Sequence, residues 1–231
     1  MVSMTIRKTM AVGGVLCALT TLAGCAFSGP TGHTRAIDAP EAPEAVQAVT
    51  SIQDTRAQLV KAHQQVDAMV AVMDRLASAP ANLPQVYKEY VDEVSQTAWQ
   101  AEQAQQRAER MRAQGQQYIN AWEDEISRLS TPELQAGAAR RSEIIRENYE
   151  RLRDAARAMQ EAYQPFITQL RDIQRVLSLD LTPAGVEVAK PAFDAARKSA
   201  ANVKERIEAF ILDINDVSSR TPRPPATAAA R

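Results

Sequence analysis

The chain has 231 residues, with 27 basic and 28 acidic side chains, two histidines, two cysteines and only 5% aromatics. A near-neutral balance supplies no concentrated positive charge for nucleic acid, and two cysteines cannot build a disulfide framework. Few aromatics in a chain dominated by Ala, Gln, Glu and Arg favour long helices sharing a thin apolar seam.

The N-terminus carries one basic pair, Arg7 and Lys8, then a mostly apolar run from Thr9 to Ala23. That run is about 15 residues long, short of the roughly 20 a membrane-spanning helix needs. It closes on Leu22-Ala23-Gly24-Cys25, the layout of a bacterial lipoprotein signal. Residues 1–24 are therefore expected to be removed and Cys25 to carry acyl chains, so that the bilayer is the first partner. Cleavage removes two bases and no acid, for a formal balance of about −3. The expected location is the cell envelope, facing the periplasm. Ala26, where an aspartate would mark retention under the enteric sorting rule, favours the outer membrane over the inner.

Residues 25–50 are small and polar with Pro30, Pro40 and Pro43, and read as a flexible tether. Four periodic segments follow within 51–218. In the first, about 51–78, Ile52, Thr55, Leu59, Ala62, Val66, Met69, Met73 and Leu76 recur in steps of three and four. The turn around Ala79-Pro80 to Pro84 stops it. The second helix, about 84–129, has the expected stripe Tyr90, Val94, Thr97, Ala101, Ala104, Ala108, Met111, Gly115, Tyr118, Trp122, Ile126 and Leu129. Its small middle permits close approach but buries little apolar area. Thr131-Pro132-Glu133 reads as a cap, a first-turn proline and a first-turn acid. The third helix, about 132–179, carries Ala138, Ile145, Tyr149, Leu152, Ala156, Met159, Tyr163, Phe166, Leu170, Ile173 and Leu177 in phase across Pro165. After Leu181-Thr182-Pro183, the fourth, about 183–217, carries Val186, Ala189, Phe193, Ala196, Ala200, Val203, Ile207, Phe210, Ile214 and Val217. Residues 219–231 read as a disordered tail.

Four stripes with short links and no strand alternation predict an all-α protein, an elongated antiparallel four-helix bundle or coiled coil. The middle helices are the longer pair, so the turn near Ser130 is expected to project as a two-helix hairpin. Tyr118, Trp122 and Tyr149 fall near its base, either filling the seam or forming a partner-binding patch.

Chemistry-bearing clusters are sparse. His33 lies in the tether, and His63 lacks the Glu three residues before it that a diiron bundle requires, since that position is Val60. The stripes contain no carboxylates, and the acids on the third helix alternate with arginines as on a solvated face. No catalytic residue, metal site or cofactor is expected.

Tyr90, then Trp122-Glu123-Asp124-Glu125, Asn148-Tyr149-Glu150-Arg151-Leu152, Gln164-Pro165-Phe166, Leu170-Arg171-Asp172 and Leu177 to Thr182 together resemble the bacterial lipoprotein family called domain of unknown function 2959. The resemblance covers most of residues 50–217. It implies an exported helical coiled-coil protein, with no assigned activity and no catalytic residues. Where relatives tend to have Lys-His-Asn before the last turn, this chain has Ser178-Leu179-Asp180, so no role for that histidine carries over. The expected function is a membrane-anchored structural or protein-interaction scaffold, whose partner is another protein or a second copy. The alternative is a helical enzyme or small-molecule carrier with a pocket near Trp122 and Tyr149, flanked by Glu123 and Glu150.

Overall fold

The computed structural model describes residues 43–220. The leader, Leu22-Ala23-Gly24-Cys25, the tether before Pro43 and the tail after Arg220 lie outside the described residues. The chain forms α1 (Pro43–Ala77), α2 (Leu83–Arg128), α3 (Pro132–Leu179) and α4 (Pro183–Arg220), and no strand among the described residues. Each helix packs on its two neighbours around a ring, α1 on α2, α2 on α3, α3 on α4 and α4 on α1, while the diagonal pairs stand farther apart across the core. That is the up-down-up-down bundle dictated by short links between antiparallel neighbours.

The stripes of α1 and α4 are buried at every expected position. Tyr90, Phe166, Phe193 and Phe210 are fully enclosed and supply most of the aromatic core volume. Thr55 and Thr97 are buried too, and each satisfies its hydroxyl on the carbonyl one turn back, Ser51 and Glu93, at 2.8 Å. Pro165 and Pro191 both lie inside continuous helices. Each removes one N–H that would have bonded to Glu161 or Glu187, and the apolar phase runs on across both.

Two helix boundaries differ from the sequence expectation. α1 starts at Pro43 instead of about 51, so residues 43–50 belong to the bundle and not to the tether. Pro43 costs nothing at a first-turn position where its N–H would be unpaired, and Ala48 continues the seam one turn back from Ile52. α4 runs on to Arg220, past the expected end at about 217. The longer outer helices, 35 and 38 residues against 46 and 48, leave a hairpin projection of only about ten residues, or roughly 15 Å. No residue from 120 to 141 is buried.

The turns use different devices. Thr182 is a working N-cap: its Oγ1 accepts the Gly185 N–H at 3.2 Å and donates to Asp180 Oδ1 at 2.7 Å. Gly185 is required there, because a Cβ would stand 2.0 Å from the Asp180 carbonyl oxygen. Thr131 has the extended backbone of a cap but makes no side-chain cap bond, contrary to the sequence expectation. Its backbone carbonyl alone accepts the Gln135 N–H, at 3.0 Å. In the first turn Ala79 takes φ 50°, a left-handed conformation that costs a Cβ-bearing residue about 1 kcal/mol.

Polar contacts bind the bundle edges unequally. Along α1 and α4, Arg56 bonds to Asn215 at 2.8 Å, His63 to Glu208 at 3.0 Å, Lys204 to Asp67 at 2.6 Å and Arg197 to Asp74 at 2.8 Å. Arg151 of α3 meets Asp213 at 3.3 Å and Asp216 at 2.6 Å on α4. The hydrogen bond from Arg151 holds the Asp216 carboxyl below the ordinary aspartate range, against a smaller opposing effect of desolvation, with Arg220 assisting. A depressed carboxyl stabilises the fold above its unfolded value, near 4, and loses that contribution as pH falls through the folded value. Asp216→Asn should therefore flatten the acid limb of a stability profile below about pH 4 while leaving the neutral region level, as chemical denaturation at stepped pH will show.

Two buried tyrosines give a second contrast. Tyr90 donates its hydroxyl to the Leu170 carbonyl at 2.8 Å, whereas the Tyr163 hydroxyl is buried without a partner. Tyr90→Phe should cost about 1 kcal/mol, and Tyr163→Phe should be neutral or stabilising. Equal losses in urea unfolding would contradict the assignment.

Candidate functional site

The most densely built feature away from the core lies where α2 and α3 begin to leave the bundle. Gly115 is buried on α2, and a Cβ there would fall 2.2 Å from Cε1 and 2.3 Å from Cδ1 of Tyr149. The Tyr149 ring therefore lies directly on the α2 backbone. Burial, reinforced by the neighbouring Tyr118, raises the Tyr149 hydroxyl well above its ordinary range. The phenol stays neutral at any physiological pH.

Sequence periodicity placed Tyr118 and Trp122 in the same seam, and here the structure differs. After Gly115 the buried residue is Ile119, while Tyr118 and Trp122 are half-exposed and Leu129 is 37% exposed. The cause is the end of α1: beyond its first turns α2 has only α3 beside it, and a two-helix seam covers a narrower stripe than a bundle does. Tyr118 and Trp122 instead stack edge to face, with centroids 6.4 Å apart and planes at 83°. On α3, Ser142 is buried where no apolar residue was expected, its hydroxyl unpaired, and Ala138 is only partly covered.

Beside Tyr149 an open groove of about 340 Å³ is lined by Arg112, Gln116, Ile119 and Glu123 of α2 and by Arg146, Tyr149, Glu150 and Arg153 of α3. Glu123 and Glu150 are both present, as expected from sequence, but Trp122 is not. The three arginines were not anticipated; each sits one turn from a seam residue, and only the pairing of the two helices brings them together. Arg146 engages Glu123 in a close ion pair and reaches Glu143 at 3.9 Å. A cation would therefore have to displace a guanidinium to use Glu123. The groove opens to solvent, and the Glu123 carboxylate in it is already paired.

The groove is one end of a longer furrow. Two further hollows continue it along the α2 and α3 edge, sharing Arg112 and Arg153, then Gln105 and Gln160. Its floor is apolar, with Ala98, Ala101, Ala108 and Ala156 between the helices and the larger Met159, Tyr163 and Ile167 in the hollow farthest from Tyr149.

His63 stands at the α1 and α4 edge, partly exposed, with Nδ1 3.3 Å from Asp67 and Nε2 3.0 Å from Glu208. Among the described residues no three metal-binding side chains converge, and no helix is long and apolar enough to cross a membrane.

The architecture defines an all-α protein of the antiparallel bundle class, with an open charged furrow along its α2 and α3 edge. The model of the family described as protein of unknown function (DUF2959) matches residues 43–219, and the chain belongs to that family. No curated protein and no solved structure matches it.

Two stability measurements probe the site. Gly115→Ala should destabilise by about 1 to 2 kcal/mol, because the overlap with Tyr149 outweighs the gain of roughly 1 kcal/mol in helix propensity. In a Tyr149→Ala background the same change should become stabilising. Trp122→Ala, at a half-exposed ring, should cost only about 1 to 2 kcal/mol, less than the 3 to 5 kcal/mol typical of a fully buried aromatic. Thermal and urea unfolding of the four variants read both effects.

Proposed function

We propose that this is a lipid-anchored envelope protein, held to a bilayer through Cys25, whose helical bundle works as a non-catalytic interaction scaffold. The observation that carries the scaffold reading is the short unburied hairpin end with the open furrow leading to it. Neither encloses a substrate. Residues 120–141 contain no buried position, and Leu134 and Leu129 stand 61% and 37% exposed around the turn. A partner seated on the turn would bury both leucines. The anchor rests on Leu22-Ala23-Gly24-Cys25 after a short apolar leader, and Ala26 favours the outer membrane.

The competing small-molecule reading draws on the groove beside Tyr149. A groove of that size matches the lower end of ligand sites, but those sites enclose most of the ligand's surface. This one is open along its length.

Two experiments decide. Mass spectrometry of the mature N-terminus should find Cys25 acylated, and Cys25→Ser should abolish incorporation of labelled fatty acid. A free thiol or an intact leader on the wild-type chain rejects the anchor. Photocrosslinkers at exposed positions near Ser130 should trap a protein partner in cells; products arising solely from the opposite end of the bundle would reject the scaffold reading.

A further inference from the structure

We propose that Arg112 and Arg153, facing each other across the α2 and α3 furrow beside Tyr149, hold a phosphate-type oxyanion. The inference goes beyond the scaffold reading and depends neither on it nor on the lipid anchor. An anchored chain that ignores phosphate would sink this site alone.

Register is the first observation. The close approach of Tyr149 to Gly115 sets the two antiparallel helices against each other. Arg112 lies three residues back along α2, about 4.5 Å, and Arg153 four residues on along α3, about 6 Å in the same direction. The two residues therefore stand on facing rims, level to within about 1.5 Å. Both line the groove and the hollow next to it. Packed helices lie about 8 to 10 Å apart, a gap that two arginine side chains close on one ion between them.

Charge is the second observation. Elsewhere the helix edges set opposite charges against each other, as Arg107 with Asp54, Arg197 with Asp74 and Arg151 with Asp213. Here two cations meet, and like charges repel. The nearby carboxylates do not relieve them. Arg112 has no hydrogen bond or ion pair among the described residues, and Arg153 reaches only its chain neighbour Asp154, at 3.0 Å. Glu123 is held by Arg146, and Glu109 accepts from Gln105 at 3.1 Å. Glu150 lines the groove yet pairs with neither guanidinium among the described residues.

The donor set is the third. Tyr149 lines the same groove, and its hydroxyl has no partner among the described residues. Burial keeps that hydroxyl protonated, so it donates. Two guanidinium forks and one phenol match a tetrahedral dianion, since guanidinium takes phosphate through paired N–H bonds. The open groove suits this class. Charge and directed donors hold a single oxyanion, whereas a drug-sized apolar ligand needs enclosure.

The test is titration of the full chain in mild detergent with inorganic phosphate at constant ionic strength, with circular dichroism to confirm each fold. Wild type should bind about one phosphate with a dissociation constant in the low-millimolar range or tighter. Arg112→Gln and Arg153→Gln should each weaken binding about tenfold, and Tyr149→Phe, which keeps the ring on Gly115, about threefold. Arg175→Gln, near the far end of α3, should leave it unchanged. In chloride Arg112→Gln should unfold no earlier than wild type, since it relieves a like-charge pair; in phosphate it should unfold earlier, since it loses the ligand. Glycerol 3-phosphate, the water-soluble part of a phospholipid headgroup, separates the sources of the group. Binding about tenfold tighter than that of inorganic phosphate assigns a lipid headgroup, and equal or weaker binding assigns free phosphate. A wild-type dissociation constant above about 50 mM for inorganic phosphate overturns the proposal, as does binding that survives both arginine substitutions.

Discussion

A helix whose apolar residues occupy one narrow stripe can keep that stripe dry only by meeting others like it. Everything in this fold follows from four such stripes held in phase over 35 to 48 residues. The phase survives Pro165 and Pro191 because the penalty of a missing hydrogen bond, about 3 kcal/mol each in a helix interior, is spread against a seam that buries Phe166, Leu170 and Phe193 on either side. Losing the register there would expose several large side chains, each worth about 1.5 to 3 kcal/mol. Continuity of the stripe therefore outweighs the local defect.

The same constraint explains the uneven surface. Where all four helices are present, large residues face inward and ion pairs lace the α1 and α4 edge. Where α1 and α4 end, α2 and α3 have only each other. Their shared seam narrows to Gly115, Ile119, Ser142 and Ile145, and a tyrosine ring lies against the glycine to close the gap. The charged groove beside Tyr149 is thus a by-product of the transition from four helices to two.

Helix number, order and most core positions were legible in the sequence because steps of three and four carry the burial pattern directly. Legibility failed wherever a neighbour's extent decided the outcome. The stripe on α2 was extended through Tyr118 and Trp122 on periodicity alone, yet Ile119 is buried there because only α3 remains alongside. Ala48 reads as linker from composition, because Pro43 and small residues surround it, although a proline at a first-turn position is compatible with a helix. Thr131 and Thr182 have the same local sequence signal, and only Thr182 bonds as a cap; the difference is Asp180, which holds its hydroxyl in place. The furrow arginines were invisible singly, since each reads as a solvated charge until two helices are paired.

Pro43 and Arg220 both leave the bundle at the end that carries the α2 and α3 turn, on helices that lie side by side. A mechanical load applied between them would peel α1 from α4 one contact at a time, first Arg56 from Asn215, then His63 from Glu208, Lys204 from Asp67 and Arg197 from Asp74. Unzipping breaks each bond alone, so the edge should yield at low force and re-close in the reverse order. A pull on the α2 and α3 turn against Pro43 would again separate neighbours by peeling, leaving the aromatic core around Tyr90 and Phe193, farthest from that end, as the last part to open.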